Sequence, residues 1–342
     1  MLRPLPLHDE IANGYEGRVI RLNGWRHENA ARRSLLLLVG KEQKHQRNEV
    51  TSVQLLAATA GMELAEFVRE HTLLPLHRAI AGKATLTSHG SSERPTLLWT
   101  HAMREARAGA YFCLRCVDDD SDSNGTPYWR RQHQLPGLYW CLQHESPLSW
   151  LGSSAAFISS PTKHVESHIR VPAGWSDALR DDPLITRFHK ICLVFLHRAQ
   201  PLDELDVAKA LRARAAELGL HSGCGEISKP LLSDLVRQRF NAKWLDSVVP
   251  ALSRKTSGEY WRMIDAAVLS GRPGVSAIVY ALAFSVLFDS DDLALSAMLS
   301  LSSENKKLRD VPKSDRQVSS DSIREHTSQT AEMCLPSHDN SK

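Results

Sequence analysis

The stretch Cys113-Leu-Arg-Cys116, followed after twenty-four residues by Cys141-Leu-Gln-His144, limits what this chain can fold into more than any other. Two residues between paired ligands let both side chains turn inward from one tight knuckle, and two knuckles complete a tetrahedron around zinc. Three thiolates and one imidazole, Cys113, Cys116, Cys141 and His144, fill every position of that tetrahedron. One zinc per chain bound this way is structural, because no position stays open for water. The competing account is a set of buried thiols, since free cysteine is among the most buried residue types.

The residues between the pairs give the clip its setting. Asp118 to Asp120, Ser121, Asp122, Ser123, Asn124 and Gly125 cannot build a core and read as an exposed loop. Pro127-Tyr-Trp-Arg-Arg-Gln-His-Gln-Leu-Pro-Gly137 then mixes aromatic and branched residues and ends on Pro-Gly, which predicts a short hairpin beside the metal.

In their order, Cys-x-x-Cys, Tyr-Trp-Arg-Arg-x-x-Gln-Leu-Pro-Gly, and Cys-x-x-His followed by Pro147-Leu148 resemble the TniQ family of transposition proteins. The start of the chain, Arg3-Pro-Leu-Pro-Leu with Asp9-Glu10, Gly17-Arg18 and Leu22-Asn-Gly24, carries the same resemblance. Looser similarity continues in Leu232-Ser-Asp-Leu235 and Arg239-Phe-Asn-Ala-Lys-Trp-Leu245. The resemblance implies a non-catalytic accessory factor of a bacterial transposon that selects or docks at a target and recruits the transposon's AAA+ ATPase. Target DNA and a homodimer are both compatible with it. Many members carry a second cysteine-rich knuckle soon after the first, and this chain has no cysteine between Cys141 and Cys192.

The 342 residues suffice for two cores. The longest apolar runs, Leu35 to Val39 and Val275 to Phe288, fall short of the roughly twenty residues a bilayer demands. His8, Asp9 and Glu10 interrupt any secretory leader, and six cysteines, three of them in the clip, fit a reducing cytoplasm. A net charge of +3 announces no nucleic-acid binder, so any such surface is local.

The pattern predicts a mainly α protein. Residues 1–150 form a domain with a helix-turn-helix and the zinc-finger hairpin, residues 151–301 an all-helical C-terminal domain, and residues 302–342 a polar, disordered tail. Ile11, Tyr15, Val19 and Leu22 repeat at helical spacing, with Gly14 and Gly17 permitting close packing, and a second helix spans about Ala30 to Val39. Ala57, Gly61 and Phe67 have helix-turn-helix spacing: a small residue where the helices touch, a glycine at the turn, an apolar residue beyond. The second helix carries Glu63, Glu66 and Glu70 against Arg69, so phosphate repels it and a structural or protein-docking role is favoured there. Past Gly152, a Ser- and Pro-containing stretch to Lys163 reads as a loop. Ser228 with Pro230 marks a helix start, Val275 to Phe288 the central buried helix, and Ser290-Asp-Asp292 the cap of the last helix.

Candidate DNA contacts cluster between Ile227 and Lys255. There Lys229, Arg237, Arg239, Lys243, Arg254 and Lys255 face two acids, Asp234 and Asp246, for a net +4. A solvated basic helix face is the ordinary alternative. Arg130 and Arg131, beside Tyr128 and Trp129, could grip phosphate or stack on bases, or pack against the knuckle. Cys192, Cys224, His197 and His221 lack knuckle spacing and read as buried thiols with unrelated histidines. No phosphate-binding loop, zinc-protease helix or nucleophile elbow is present. A nuclease or transposase using Asp118, Asp119, Asp120 and Asp122 around magnesium is a distant alternative. A protein adaptor without DNA contact, bridging the ATPase to another targeting component, is the nearer one.

Overall fold

The computed structural model describes residues 1–41, 49–91, 93, 95–220, 230–268 and 275–309, with backbone alone at Ser253 and 302–309. Among these are fifteen α-helices and five short strands. The helices are α1 Ala12–Leu22, α2 Glu28–Leu38, α3 Ser52–Ala60, α4 Leu64–His71, α5 Leu74–His77, α6 Pro95–His101, α7 Leu114–Asn124 and α8 Ala173–Arg180, followed by α9 Pro183–His197, α10 Glu204–Glu217, α11 Leu232–Arg239, α12 Ala242–Val248, α13 Arg262–Asp265, α14 Ala277–Leu287 and α15 Asp291–Arg309. The strands are β1 Ile80–Ala81, β2 Ala110–Phe112, β3 Ser149–Leu151, β4 Ile169–Arg170 and β5 Leu202–Asp203. No helix among the described residues is long and apolar enough to cross a membrane.

The helix-turn-helix forms as its spacing predicts. Thr51 caps α3 in a reciprocal box: its hydroxyl accepts from the Gln54 N–H at 3.2 Å, and the Gln54 side chain accepts from the Thr51 N–H at 2.8 Å. Gly61 ends the helix at φ +69°, a conformation that favours glycine. Ala57 and Phe67 are then buried together with Tyr15, Leu36, Leu56 and Leu98 in one apolar cluster.

Close approach fixes α1 against the knuckle region. A Cβ on Gly14 would lie 2.9 Å from the Trp129 Cβ, and one on Gly17 would lie 2.3 Å from the Phe157 carbonyl oxygen. Both positions need glycine, as its missing side chain lets backbone approach this near.

The larger core crosses residue 150. Ile11, Trp129 and Cys141 share it with Phe188, Phe195, Phe284 and Met298. Ten of the eleven residues of α14 are buried, which makes it the central helix. The C-terminal half also lends two strands: β5 pairs in parallel with β1, and β4 extends the antiparallel pair β2–β3.

Several expectations change. The acidic stretch after Cys116 is helix α7 and not a loop, because Cys113 starts it, Ser121 and Ser123 return hydrogen bonds to the carbonyls four residues back, and Gly125 stops it at φ +65°. Tyr128 to Gly137 is an irregular segment with a 3₁₀ turn at Gln132–Gln134, and the hairpin lies one step later. There Leu148 N–H donates to the Tyr139 carbonyl at 3.0 Å and Cys141 N–H to the Ser146 carbonyl at 2.8 Å. The Pro-Gly pair leads into this hairpin and does not close one. Two 3₁₀ turns, Ser154–Ile158 and Pro161–His164, occupy the stretch after Gly152. Helix α15 continues to Arg309, since Leu, Lys, Glu and Arg there are good helix formers; the rest of the expected tail lies outside the described residues. So does Ser228, and the helix expected there begins at Leu232.

Candidate metal centre

The four ligands come from two local structures. Cys113 is the cap residue of α7 and Cys116 sits in its first turn, where the helix's positive end favours thiolate. Cys141 and His144 occupy the hairpin turn, which Glu145 completes at φ +53° with its N–H donating to the Cys141 carbonyl at 2.8 Å.

These elements bring Cys113, Cys116 and Cys141 Sγ and a His144 ring nitrogen within 4.8 Å of one another. The Nδ1 of His144 lies 3.6 Å from Cys113 Sγ, 3.3 Å from Cys116 Sγ and 3.6 Å from Cys141 Sγ, and Cys116 and Cys141 Sγ are 3.6 Å apart. A tetrahedral centre with metal–sulfur bonds of about 2.3 Å has sulfur–sulfur edges of about 3.8 Å and slightly shorter sulfur–nitrogen edges. The observed edges fit one metal ion. The sulfurs are tightly coupled: hydrogen bonds from Cys116 and Cys141 lower the Cys113 thiol, while Cys113 pushes the other two up. Three thiolates at this spacing need a cation to coexist.

One contact to the cluster is not visible in the sequence patterns. The Nε2 of His144 faces Asp119 Oδ2 at 2.8 Å. Asp119 stands one helical turn after Cys116, so the signal existed once that segment is read as helix. Ser146 Oγ also reaches Cys113 Sγ at 3.3 Å.

Arg130 and Arg131, expected as phosphate contacts, are buried in ion pairs. Arg130 Nη2 donates to Asp120 Oδ1 at 2.7 Å and Nη1 to the Tyr128 hydroxyl at 2.6 Å. Arg131 Nε donates to Asp9 Oδ1 at 2.9 Å, and its Nη1 donates to the carbonyls of Arg69 and Thr72 at the end of α4. Asp9 takes φ +56° to make this contact and also accepts from the Gln132 N–H at 3.0 Å. Next to it, Glu10 holds Arg18 through two hydrogen bonds of 2.9 and 2.6 Å, which explains the Asp9-Glu10 and Arg18 signals at the start of the chain.

The basic segment divides. Arg239, Lys243 and Arg254 are exposed, although Arg239 reaches the Val286 carbonyl at 3.5 Å and Lys243 Nζ lies 4.9 Å from the Trp175 ring centroid. Arg237 is half-buried and donates to the Lys255 carbonyl. The Lys255 side chain is itself 0% exposed and paired with Asp234. Lys229 lies outside the described residues. Cys192 is buried with its thiol pushed up by burial, and His197 is exposed. Cys224 and His221 lie outside the described residues, and the four-residue cluster at Cys113 is the only such group among the described ones.

Fold and site together define a mainly helical protein with an N-terminal helix-turn-helix and a Cys3His cluster that could hold one metal ion. The TniQ family model, that of a family associated with transposition, matches residues 1–148, so the N-terminal part of the chain is similar to that family. No curated protein matches the chain in sequence.

Proposed function

We propose that the chain is a non-catalytic, cytoplasmic accessory factor of transposition, built around one structural zinc, that docks at target DNA and recruits the transposon's AAA+ ATPase. The observation that carries this reading is the TniQ match, which runs from the first residue through the helix-turn-helix and stops four residues past His144. It thus takes in both the acidic docking helix and the complete metal clip. Thiolate-rich four-ligand geometry favours zinc and leaves it no catalytic position.

Within this reading, residues 1–150 serve protein docking and residues 151–301 supply DNA contact. Glu63 and Glu66 on the exposed side of the helix-turn-helix disfavour phosphate, whereas Arg239, Lys243 and Arg254 remain exposed to attract it. Duplex DNA binding across a salt series tests this: replacing the three cations with Ala together should lower the slope of log K against log salt by about 2 to 3.

A protein adaptor without DNA contact is the second reading. It is favoured by the burial of Arg130, Arg131 and Lys255, three of the eight candidate cations. Capture of the ATPase by protein that binds no duplex at low salt would establish the adaptor and sink the selector. Of the four carboxylates that could face magnesium, two are otherwise engaged, Asp119 with His144 and Asp120 with Arg130.

A further inference from the structure

We propose that Asp119 is a latch on His144, the fourth ligand of the metal centre, and that the centre opens on the His144 side when its ion exchanges. The inference rests on the zinc reading above. It begins from an asymmetry in the site. The sulfur ligands are almost fully enclosed, at 1%, 3% and 0% exposure for Cys113, Cys116 and Cys141. The Asp119 side chain is 55% exposed and touches the outer nitrogen of His144 at 2.8 Å.

Chemistry gives this contact a specific task. Coordination through Nδ1 requires the proton on Nε2, and a carboxylate accepting that N–H fixes both the tautomer and the ring's rotation. Helix α7 thereby supplies two sulfur ligands and the residue that orients the histidine, the latter one turn beyond Cys116. Asp120, its neighbour, turns to Arg130 and cannot share the task. Without the latch, rotation of His144 exposes one face of the site to water and to competing ligands, while the three enclosed sulfurs stay in place.

The test measures zinc transfer from the full chain to a chromophoric chelator, by rate and at equilibrium, with cobalt(II) absorption to read the ligand set. Asp119→Ala should release zinc about 10- to 100-fold more readily. Asp119→Glu should recover part of the loss, and the cobalt spectrum should keep its tetrahedral thiolate bands in both variants. Asp118→Ala, which removes the same charge from the same helix, should behave as wild type. Unchanged release from Asp119→Ala overturns the latch, as does equal acceleration by Asp118→Ala. A wild-type chain that holds no stoichiometric zinc overturns instead the metal reading beneath it.

Discussion

The indole Nε1 of Trp244 donates to the carbonyl oxygen of Gly137 at 2.8 Å. Beside it, His189 Nε2 faces the Pro136 carbonyl at 3.2 Å, so α9 and α12 both hold the Pro-Gly step that precedes the metal hairpin. Gly137 adopts φ +70°, and a Cβ there would lie 2.6 Å from both Trp244 Nε1 and Val248 Cγ2. Left-handed strain and overpacking therefore act together, and Gly137→Ala should destabilise by about 3 kcal/mol. Trp244→Phe keeps a ring stacked on Phe240, whose centroid is 5.2 Å away, but loses the donor and part of the buried ring; it should cost about 2 kcal/mol. Urea unfolding of both variants checks the order, and a neutral Gly137→Ala would rule out this packing.

Arg131 joins three parts of the chain: Asp9, the end of α4 and the segment before the metal hairpin. Removing it leaves the Asp9 carboxylate buried and two helix-end carbonyls without their donor. Arg131→Ala should cost about 3 to 5 kcal/mol, and Arg131→Lys should recover little because lysine lacks the planar fork. A denaturation midpoint close to wild type for Arg131→Ala would contradict this role. DNA affinity of folded Arg131→Ala protein should match wild type, unlike that of variants at Arg239 or Arg254.

How far these features are legible in sequence depends on the range over which they act. Cys113 with Cys116, Cys141 with His144, and Ala57 with Gly61 and Phe67 announce themselves because each pattern is closed within one or two turns of chain. Arg131 meets Asp9 across 122 residues, and no local pattern distinguishes that buried pair from a phosphate contact. Composition likewise misleads at α7, where four aspartates, two serines and an asparagine look like loop. The helix is imposed from its ends, by two ligands at the start, Gly125 at the finish and Asp120 tied to Arg130. Reading that segment as loop also concealed Asp119, whose task depends on helical spacing from Cys116.

Glu145 is held at φ +53° in the turn that carries Cys141 and His144, with its side chain exposed. Left-handed backbone costs a side-chain-bearing residue about 1 kcal/mol, partly offset in a glycine variant by the freer unfolded chain. Glu145→Gly should therefore raise stability by about 0.5 kcal/mol while zinc content stays at one per chain. Thermal melting with metal analysis on the same samples reads both. Loss of zinc from Glu145→Gly would show that the turn needs the strained residue for ligand placement.

Glu16 provides a pH-dependent prediction far from the metal. It lines a cavity of about 330 Å³ with Glu28, Glu105 and Asn13, and burial first, then Glu28, raises its carboxyl from 4.5 to about 7. Between those values the unfolded chain releases this proton while the folded protein keeps it. The unfolded state then binds fewer protons, so the contribution of Glu16 to stability falls as pH rises from about 4.5 to about 7 and is level above that. Glu16→Gln keeps the shape without the charge. With allowance for solvent access at the cavity mouth, it should be more stable than wild type by about 1 to 2 kcal/mol at pH 8, with the difference shrinking as the pH is lowered towards 4. Comparing each variant with wild type at the same pH cancels the other titrating groups. A difference of the same size at pH 4 and pH 8 would mean that the substitution acts through packing and not through this carboxyl's proton.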